Sequence, residues 1–355
     1  MTTFEAQDAA AQVDHASQSD VTAARSVSMQ EARQLRDAPP PFPFGWFAVA
    51  QCHELRAGAV LTRQFMDREI VIYRTQSGTV CATEAYCPHL GAHLGHGGEV
   101  CGEELRCPFH GFRFSVKGSC VYSPSGAPPP AARLGLLEVR ETHGAILVWH
   151  GPAGQVPWEI DAPDEESEWR RVGHRIRHVR SHPQELLENS IDITHFSALH
   201  GFGNVGVSRP ATFDGPRLGV DYALKQKTPW GSPVDVALRI RLNGLGFAIT
   251  EVETLGFTLR LVGLATLVAE RDTVHLLLMS MRKQGRSLAG KAYWRCAQEV
   301  LGPFVMGGLM NQINQDDPVW SNKKYLRRPA IAEGDGPIHA YRRWVSQFYP
   351  EGAAW

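Results

Sequence analysis

In the second half of the chain the apolar residues repeat first with period two and then with the period of a helix. Val234, Val236, Leu238, Ile240 and Leu242 alternate with polar or small neighbours, the pattern of a strand that buries one face. Residues 247–252, 257–267 and 274–281 predict further strands, separated by loop signals such as Glu270-Arg271-Asp272. From about 287 to 313 the spacing changes to that of a long helix carrying Trp294, Val300, Leu301, Phe304, Val305 and Leu309. Its Met and aromatic stripe is expected to be core, with a few positions lining a pocket. The predicted architecture is an antiparallel sheet curved around one long helix, a helix grip. A deep cavity between sheet and helix would suit an apolar substrate.

The first half reads differently. Between Trp46 and about Trp149, short strands at 70–73, 80–83, 112–116 and 120–122 alternate with turns, among them Lys117-Gly118. Pro128-Pro129-Pro130 interrupts this small β domain, and residues 151–163 form a plausible linker. Residues 1–38 are rich in Ala, Gln, Ser and Asp without a sustained apolar face, apart from a short helical pattern at 28–37. Pro39-Pro40-Pro41-Phe42-Pro43 then marks entry to the folded part. The fold class is therefore α+β, in three segments: a flexible extension (1–43), a β domain (44–155) and a helix-grip domain (156–355). No internal repeat is evident.

Composition narrows the function. A chain of 355 residues, 43% of them hydrophobic, can fill two cores. Its net charge of −1, without a basic block, favours neither nucleic acid nor an anionic membrane as partner. Seven cysteines show no paired secretory framework, and thiolate ligands fit the reducing cytosol, so a cytoplasmic location is expected. The acidic N-terminus lacks the apolar segment of a secretory signal. Charges interrupt every apolar stretch before about eighteen residues, so no membrane span is expected.

The chemistry begins at Cys87-Pro88-His89-Leu90-Gly91, followed, with 17 residues between His89 and Cys107, by Cys107-Pro108-Phe109-His110-Gly111. Each half offers one cysteine and one histidine, which describes a Rieske [2Fe-2S] cluster: Cys87 and Cys107 on one iron, His89 and His110 on the other. A structural zinc site normally pairs its cysteines two to four residues apart, unlike these halves. Gly91 and Gly111 suit the tight turns that would carry the donors around a cluster. His93 and His96 lie in the same loop outside the motif and are expected to be solvated.

Near the middle, Asp192-x2-His195-x4-His200 lies in a stretch bracketed by Pro183 and Gly201 as helical. Asp192 and His195 share a helix face, but His195 and His200 are out of phase. Both reach one metal only if the helix distorts or ends between them. Farther on, Asn314-Gln315-Asp316-Asp317-Pro318 supplies a carboxylate at the expected helix end. Two histidines and one carboxylate make the facial triad of non-haem Fe(II) oxygenases. Asp316 is the first choice for the third ligand, and Asp317 the alternative.

Taken together, these residues resemble a Rieske non-haem iron oxygenase alpha subunit from about Phe44 to the C-terminus. Gln315-Asp316-Asp317-Pro318-Val319-Trp320, Asp335-Gly336-Pro337 and Arg342-Arg343-Trp344 resemble the ketosteroid 9-alpha-hydroxylase and cholesterol-desaturase branch, with aminopyrrolnitrin oxygenase more distant. The resemblance implies Cys87, His89, Cys107 and His110 as cluster ligands and His195, His200 and Asp316 as mononuclear iron ligands. Asp192 matches the carboxylate that joins the two centres across subunits of a homotrimer. It also implies O2 as co-substrate, and NAD(P)H electrons delivered by a flavin reductase, a ferredoxin or both. The implied reaction is monohydroxylation of a bulky hydrophobic, polycyclic or steroid-like substrate. Desaturation, N-oxygenation and oxidative cyclisation are variants of it. Respiratory Rieske proteins carry a further cysteine in each loop, where this chain has Ala92 and Phe109; Cys101 and Cys120 read as buried or free thiols. An electron-transfer protein without oxygenase activity is the distant alternative, and a zinc-stabilised module would lack the cluster's colour.

Overall fold

The structure, a computed structural model, describes residues 41–160, 166–227, 231–283, 285 and 287–351. The expected extension before residue 41, with its helical pattern at 28–37, and the linker residues 161–163 lie outside that set, as do the side chains of Leu301 and Val305.

The strands of the first part are β1 (Gly45–Gln51), β2 (Val60–Phe65), β3 (Arg68–Arg74), β4 (Val80–Glu84), β5 (Glu99–Cys101), β6 (Glu104–Arg106), β7 (Arg113–Phe114), β8 (Cys120–Tyr122), β9 (Leu136–Leu137), β10 (Val139–Thr142) and β11 (Ala145–His150). Among the described residues they form antiparallel sheets in the orders β1-β11-β10, β2-β3-β4-β9 and β5-β6-β7-β8. The apolar run of β3 is continuous because both its faces are covered. Ile70 and Ile72 enter one core while Val71 and Tyr73 enter another. The strand expected at 112–116 shrinks to Arg113–Phe114. The Phe112 carbonyl is taken by Cys107 N–H at 2.8 Å, and residues 115–119 close a turn.

The second part contains β12 (Trp169–Val179), α1 (Pro183–Glu188), α2 (Thr194–Ala198), β13 (Gly203–Asp214), β14 (Arg217–Gln226), β15 (Val234–Asn243), β16 (Phe247–Thr254), β17 (Phe257–Ala269), β18 (Asp272–Arg282), α3 (Leu288–Asn322) and α4 (Ile338–Val345). The strands make one antiparallel sheet, ordered β12-β18-β17-β16-β15-β14-β13. The alternation seen in β15 sets its register against β14: Val236 faces Leu224, Leu238 faces Tyr222 and Ile240 faces Val220. These pairs enter a core shared with Met306 and Met310 of α3 and with Tyr341, Trp344 and Phe348. Trp46, Leu147 and Trp149 of the first part pack against Phe247, Val262, Leu264 and Leu276 of the sheet.

Helix α3 departs from expectation in two ways. It runs through Pro318 to Asn322 rather than ending near 313, so Asp316 and Asp317 lie within it. An interior proline costs a helix about 3 kcal/mol. Burial of Trp320 beside Val179, Leu186 and Ala265 returns a comparable amount, roughly 1.5–3 kcal/mol for a large apolar side chain. The expected core stripe is also incomplete: Met306 and Met310 are buried, whereas Val300 is 75% and Phe304 63% exposed. Among the described residues no helix is long and apolar enough to cross a membrane.

His182 starts α1, its Nδ1 accepting from Gln184 N–H at 3.1 Å. Burial lowers its pKa from 6.5 to about 3. Between those values the unfolded chain binds a proton that the folded chain refuses, so stability falls with pH through that window. From pH 7 to pH 5 this histidine should remove on the order of 2 kcal/mol. In His182→Asn, which keeps a capping oxygen, the urea midpoint should drop less between those two pH values.

Candidate metal centres

The first candidate centre is built from two loops with matching backbone bonds. Cys87 N–H donates to Ala92 O at 2.8 Å and Gly91 N–H to Cys87 O at 2.9 Å; Cys107 N–H donates to Phe112 O at 2.8 Å and Gly111 N–H to Cys107 O at 3.1 Å. Gly91 and Gly111 take φ of 73° and 69°, a left-handed turn that favours glycine. The repeated turn brings the four predicted donors together. Both cysteines are buried, and the His89 and His110 rings lie 4.9 Å apart. His89, itself exposed, stacks on Phe112 at 4.3 Å. Burial pushes the Cys87 thiol up to about 11; a bond from the His89 backbone opposes this, and the adjacent Cys107 adds to it. Two buried thiolates side by side need a cationic partner, and two sulfur plus two imidazole donors fit a Rieske cluster. His93 departs from expectation: its side chain is only 12% exposed, with Nε2 at 3.3 Å from a Glu69 carboxylate oxygen. Cys101 and Cys120 are free thiols, each partly exposed.

The second candidate centre depends on broken helices. The stretch bracketed by Pro183 and Gly201 is not one helix but α1 and α2, with Asp192 in the gap. That gap rests on a turn before α4, where Ile193 N–H donates to Asp335 O at 3.1 Å. Gly336 allows the approach. Its φ is 91°, and a Cβ there would stand 2.3 Å from Ile191 O. Gly336→Ala should therefore cost about 1–3 kcal/mol and displace the gap, read as a lower melting temperature together with reduced iron retention.

Helix α2 ends before His200, and Gly201 turns with φ 67°. The turn cancels the phase mismatch and brings the His195 and His200 rings to 5.1 Å. Donor atoms of His195, His200 and Asp316 all lie within 4.8 Å of one another. Second contacts set the tautomers. His195 Nδ1–H donates to Asp192 O at 2.5 Å, and His200 Nδ1–H donates to Gln315 Oε1 at 3.1 Å. Each ring therefore keeps its Nε2 lone pair for a metal. His200 Nε2 stands 3.5 Å from Asp316 Oδ1, which also accepts from Asn189 Nδ2 at 3.0 Å.

Burial lowers the His195 pKa to about 4, leaving the ring neutral at pH 7. Burial also raises Asp316 to about 7, opposed by the charge of Arg177 and reinforced by Asp317. A buried carboxyl poised in this way gains from a bound cation. Asp317, the alternative ligand, points elsewhere: its Oδ2 accepts from Arg177 Nη1 at 2.6 Å. Asp192 adjoins His195, with Oδ1 accepting from His195 N–H at 3.2 Å, and burial raises its pKa.

All three donor residues of this centre line a cavity of about 720 Å³, with Val236, Leu238, Ile240 and Leu261 among its apolar walls. Asn189 and Gln315 were not singled out from sequence, although Gln315 stands in the quoted Asn314–Pro318 segment. A carboxamide next to a candidate ligand was the available signal for Gln315, and Asn189, six residues before His195, had none. Arg177 and His275, also at this end of the molecule, carried no spacing signal.

Two sulfur–imidazole loops joined to a His, His and carboxylate centre over an apolar cavity define a Rieske-type non-haem iron oxygenase. Residues 45–139 match the Rieske [2Fe-2S] domain family and residues 148–349 the 3-ketosteroid 9alpha-hydroxylase C-terminal domain family. The chain belongs to the latter family and is an oxidoreductase using a Rieske cluster, mononuclear iron, O2 and electrons from a reductase. It is 30% identical to a cholesterol 7-desaturase of Bombyx mori over 354 residues, covering 95% of this chain and 76% of the relative. It is 26% identical to the oxygenase component of a Rhodococcus rhodochrous 3-ketosteroid-9-alpha-monooxygenase, covering 90% of this chain and 88% of the relative. Dicamba monooxygenase bound to dicamba shares the fold, with a TM-score of 0.65 at 22% identity over 88% of this chain and 97% of that one.

Proposed function

We propose that this chain is the terminal oxygenase of a steroid- or sterol-oxidising system, inserting one oxygen atom into a bulky, apolar polycycle. The observation that carries the substrate class is the apolar cavity of about 720 Å³ onto which His195, His200 and Asp316 open. That volume lies in the range of sites that enclose a whole ligand of this size.

In this proposal Cys87, Cys107, His89 and His110 hold the cluster, and His195, His200 and Asp316 hold the iron. When bound, the cluster supplies single electrons and the iron supplies O2 activation. The chain's own residues then do the following. Asp192 fixes the His195 tautomer through its carbonyl and offers its carboxylate as the route by which an electron arrives. Gln315 and Asn189 orient His200 and Asp316. Leu and Val side chains of β15 to β17 exclude water and hold the substrate's apolar body.

The assembly we propose is a homotrimer in the cytoplasm, fed by a flavin reductase or ferredoxin. Exposed apolar residues surround the cluster loops, Tyr86 at 58%, Leu90 at 67% and Phe109 at 64% exposure, which supports a neighbouring subunit or an electron donor there. Desaturation is the second reading, favoured by the name of the Bombyx mori relative.

Anaerobically purified protein reduced with dithionite should give the electron paramagnetic resonance of a Rieske cluster. With a surrogate reductase, NADH and O2, mass spectrometry of a sterol and ketosteroid panel should show a product that gains one oxygen or loses two hydrogens. Turnover of small polar aromatics but no sterol would remove the substrate class while leaving the oxygenase.

A further inference from the structure

We propose that His275 is the residue that recognises an uncharged acceptor oxygen, a ketone or hydroxyl, on the substrate. This rests on the cavity being the substrate site and adds which group on the substrate is read.

His275 stands on β18 and lines the cavity. Its Nδ1 faces Arg177 Nη2 at 3.4 Å. An arginine has only donors, so Nδ1 accepts and the ring proton must sit on Nε2. Arg177 is itself held by Asp317, Nη1 to Oδ2 at 2.6 Å, which fixes the guanidinium against the ring. Burial, and then the Arg177 charge, push the imidazole down to about 3, so the ring is neutral at any working pH.

Nε2 lies at the Gly263 position of the neighbouring strand, where an added Cβ would stand 3.4 Å from it. Among the described residues no protein acceptor is recorded for this nitrogen. A donor with no protein partner on a cavity wall can give its hydrogen bond to a ligand oxygen. A neutral N–H suits a ketone or hydroxyl oxygen, whereas a carboxylate would call for a cation. Asp317 thus has a use distinct from iron ligation: it anchors the guanidinium that sets this tautomer.

The test is equilibrium dialysis of the iron-loaded protein against two probe pairs, each differing by its oxygen function. The pairs are 5α-cholestan-3-one with 5α-cholestane, and 9-fluorenone with fluorene. The wild-type protein should bind the oxygenated member roughly five- to tenfold more tightly, the worth of one neutral hydrogen bond. His275→Phe should bring the ratio of the two affinities within each pair to about one, whatever the change in absolute affinity. Gly263→Ala, which puts a methyl group against Nε2 and leaves His275 in place, should reduce it and guards against misfolding of the first variant. A preference retained by both variants, or absent from the wild type in both pairs, overturns the assignment. A preference seen with the fluorenone pair alone supports His275 and removes only the steroid reading.

Discussion

Asp316→Ala should lose the mononuclear iron and all oxygenation while keeping the cluster's colour and its reduced-state resonance. Iron per chain should fall from about three to about two. The size of the effect follows from the site. His195, His200 and Asp316 are the donors that converge within 4.8 Å, and two neutral imidazoles without an anion bind ferrous iron weakly. Asp317 cannot take over, because Arg177 holds its Oδ2 at 2.6 Å. Asp317→Ala should retain iron, and this contrast separates the two adjacent carboxylates. Iron analysis with the cluster's visible absorption checks both variants. Full iron retention in Asp316→Ala would remove it from the ligand set.

The second large effect is expected at Asp192. Asp192→Ala should bind both iron centres, since His195 and His200 keep their rings and the His195 tautomer is set by a backbone carbonyl, not by the lost carboxylate. Turnover should nevertheless drop by about 100-fold, the upper end for residues that act through a ligand. Stopped-flow reoxidation of the dithionite-reduced cluster, with substrate and O2, locates the defect. Cluster reoxidation at the wild-type rate would refute the relay and leave Asp192 as a support for His195.

The two candidate centres were legible to different degrees. Cys87, His89, Cys107 and His110 lie in two short loops, so each half is local and sequence spacing describes it. Matching bonds at Gly91 and Gly111 restate that local pattern in space. The second centre was only half local. His195 and His200 stood at a spacing that a regular helix cannot use, which the turn at Gly201 resolves, while the gap that holds Asp192 before α2 depends on Asp335 and Gly336 more than 130 residues away. Strands β12, β13 and β14 escaped notice for a related reason. β12 carries Arg170, Arg171, Arg175 and Arg177, a charged edge strand whose pairing with β18 outweighs its poor apolar pattern.

What the chain's order of residues determined alone was the β character of both parts, the long helix and the two loops that carry Cys87, His89, Cys107 and His110. Each follows from short-range periodicity or from spacing within one loop. Tertiary structure alone decided that α3 continues through Pro318, since the burial of Trp320 offsets the proline. It also decided which of two neighbouring aspartates turns inward, and it brought Arg177 to His275. Those outcomes depend on groups from distant strands meeting in one buried place, where desolvation and charge pairing choose among arrangements that sequence spacing leaves equal.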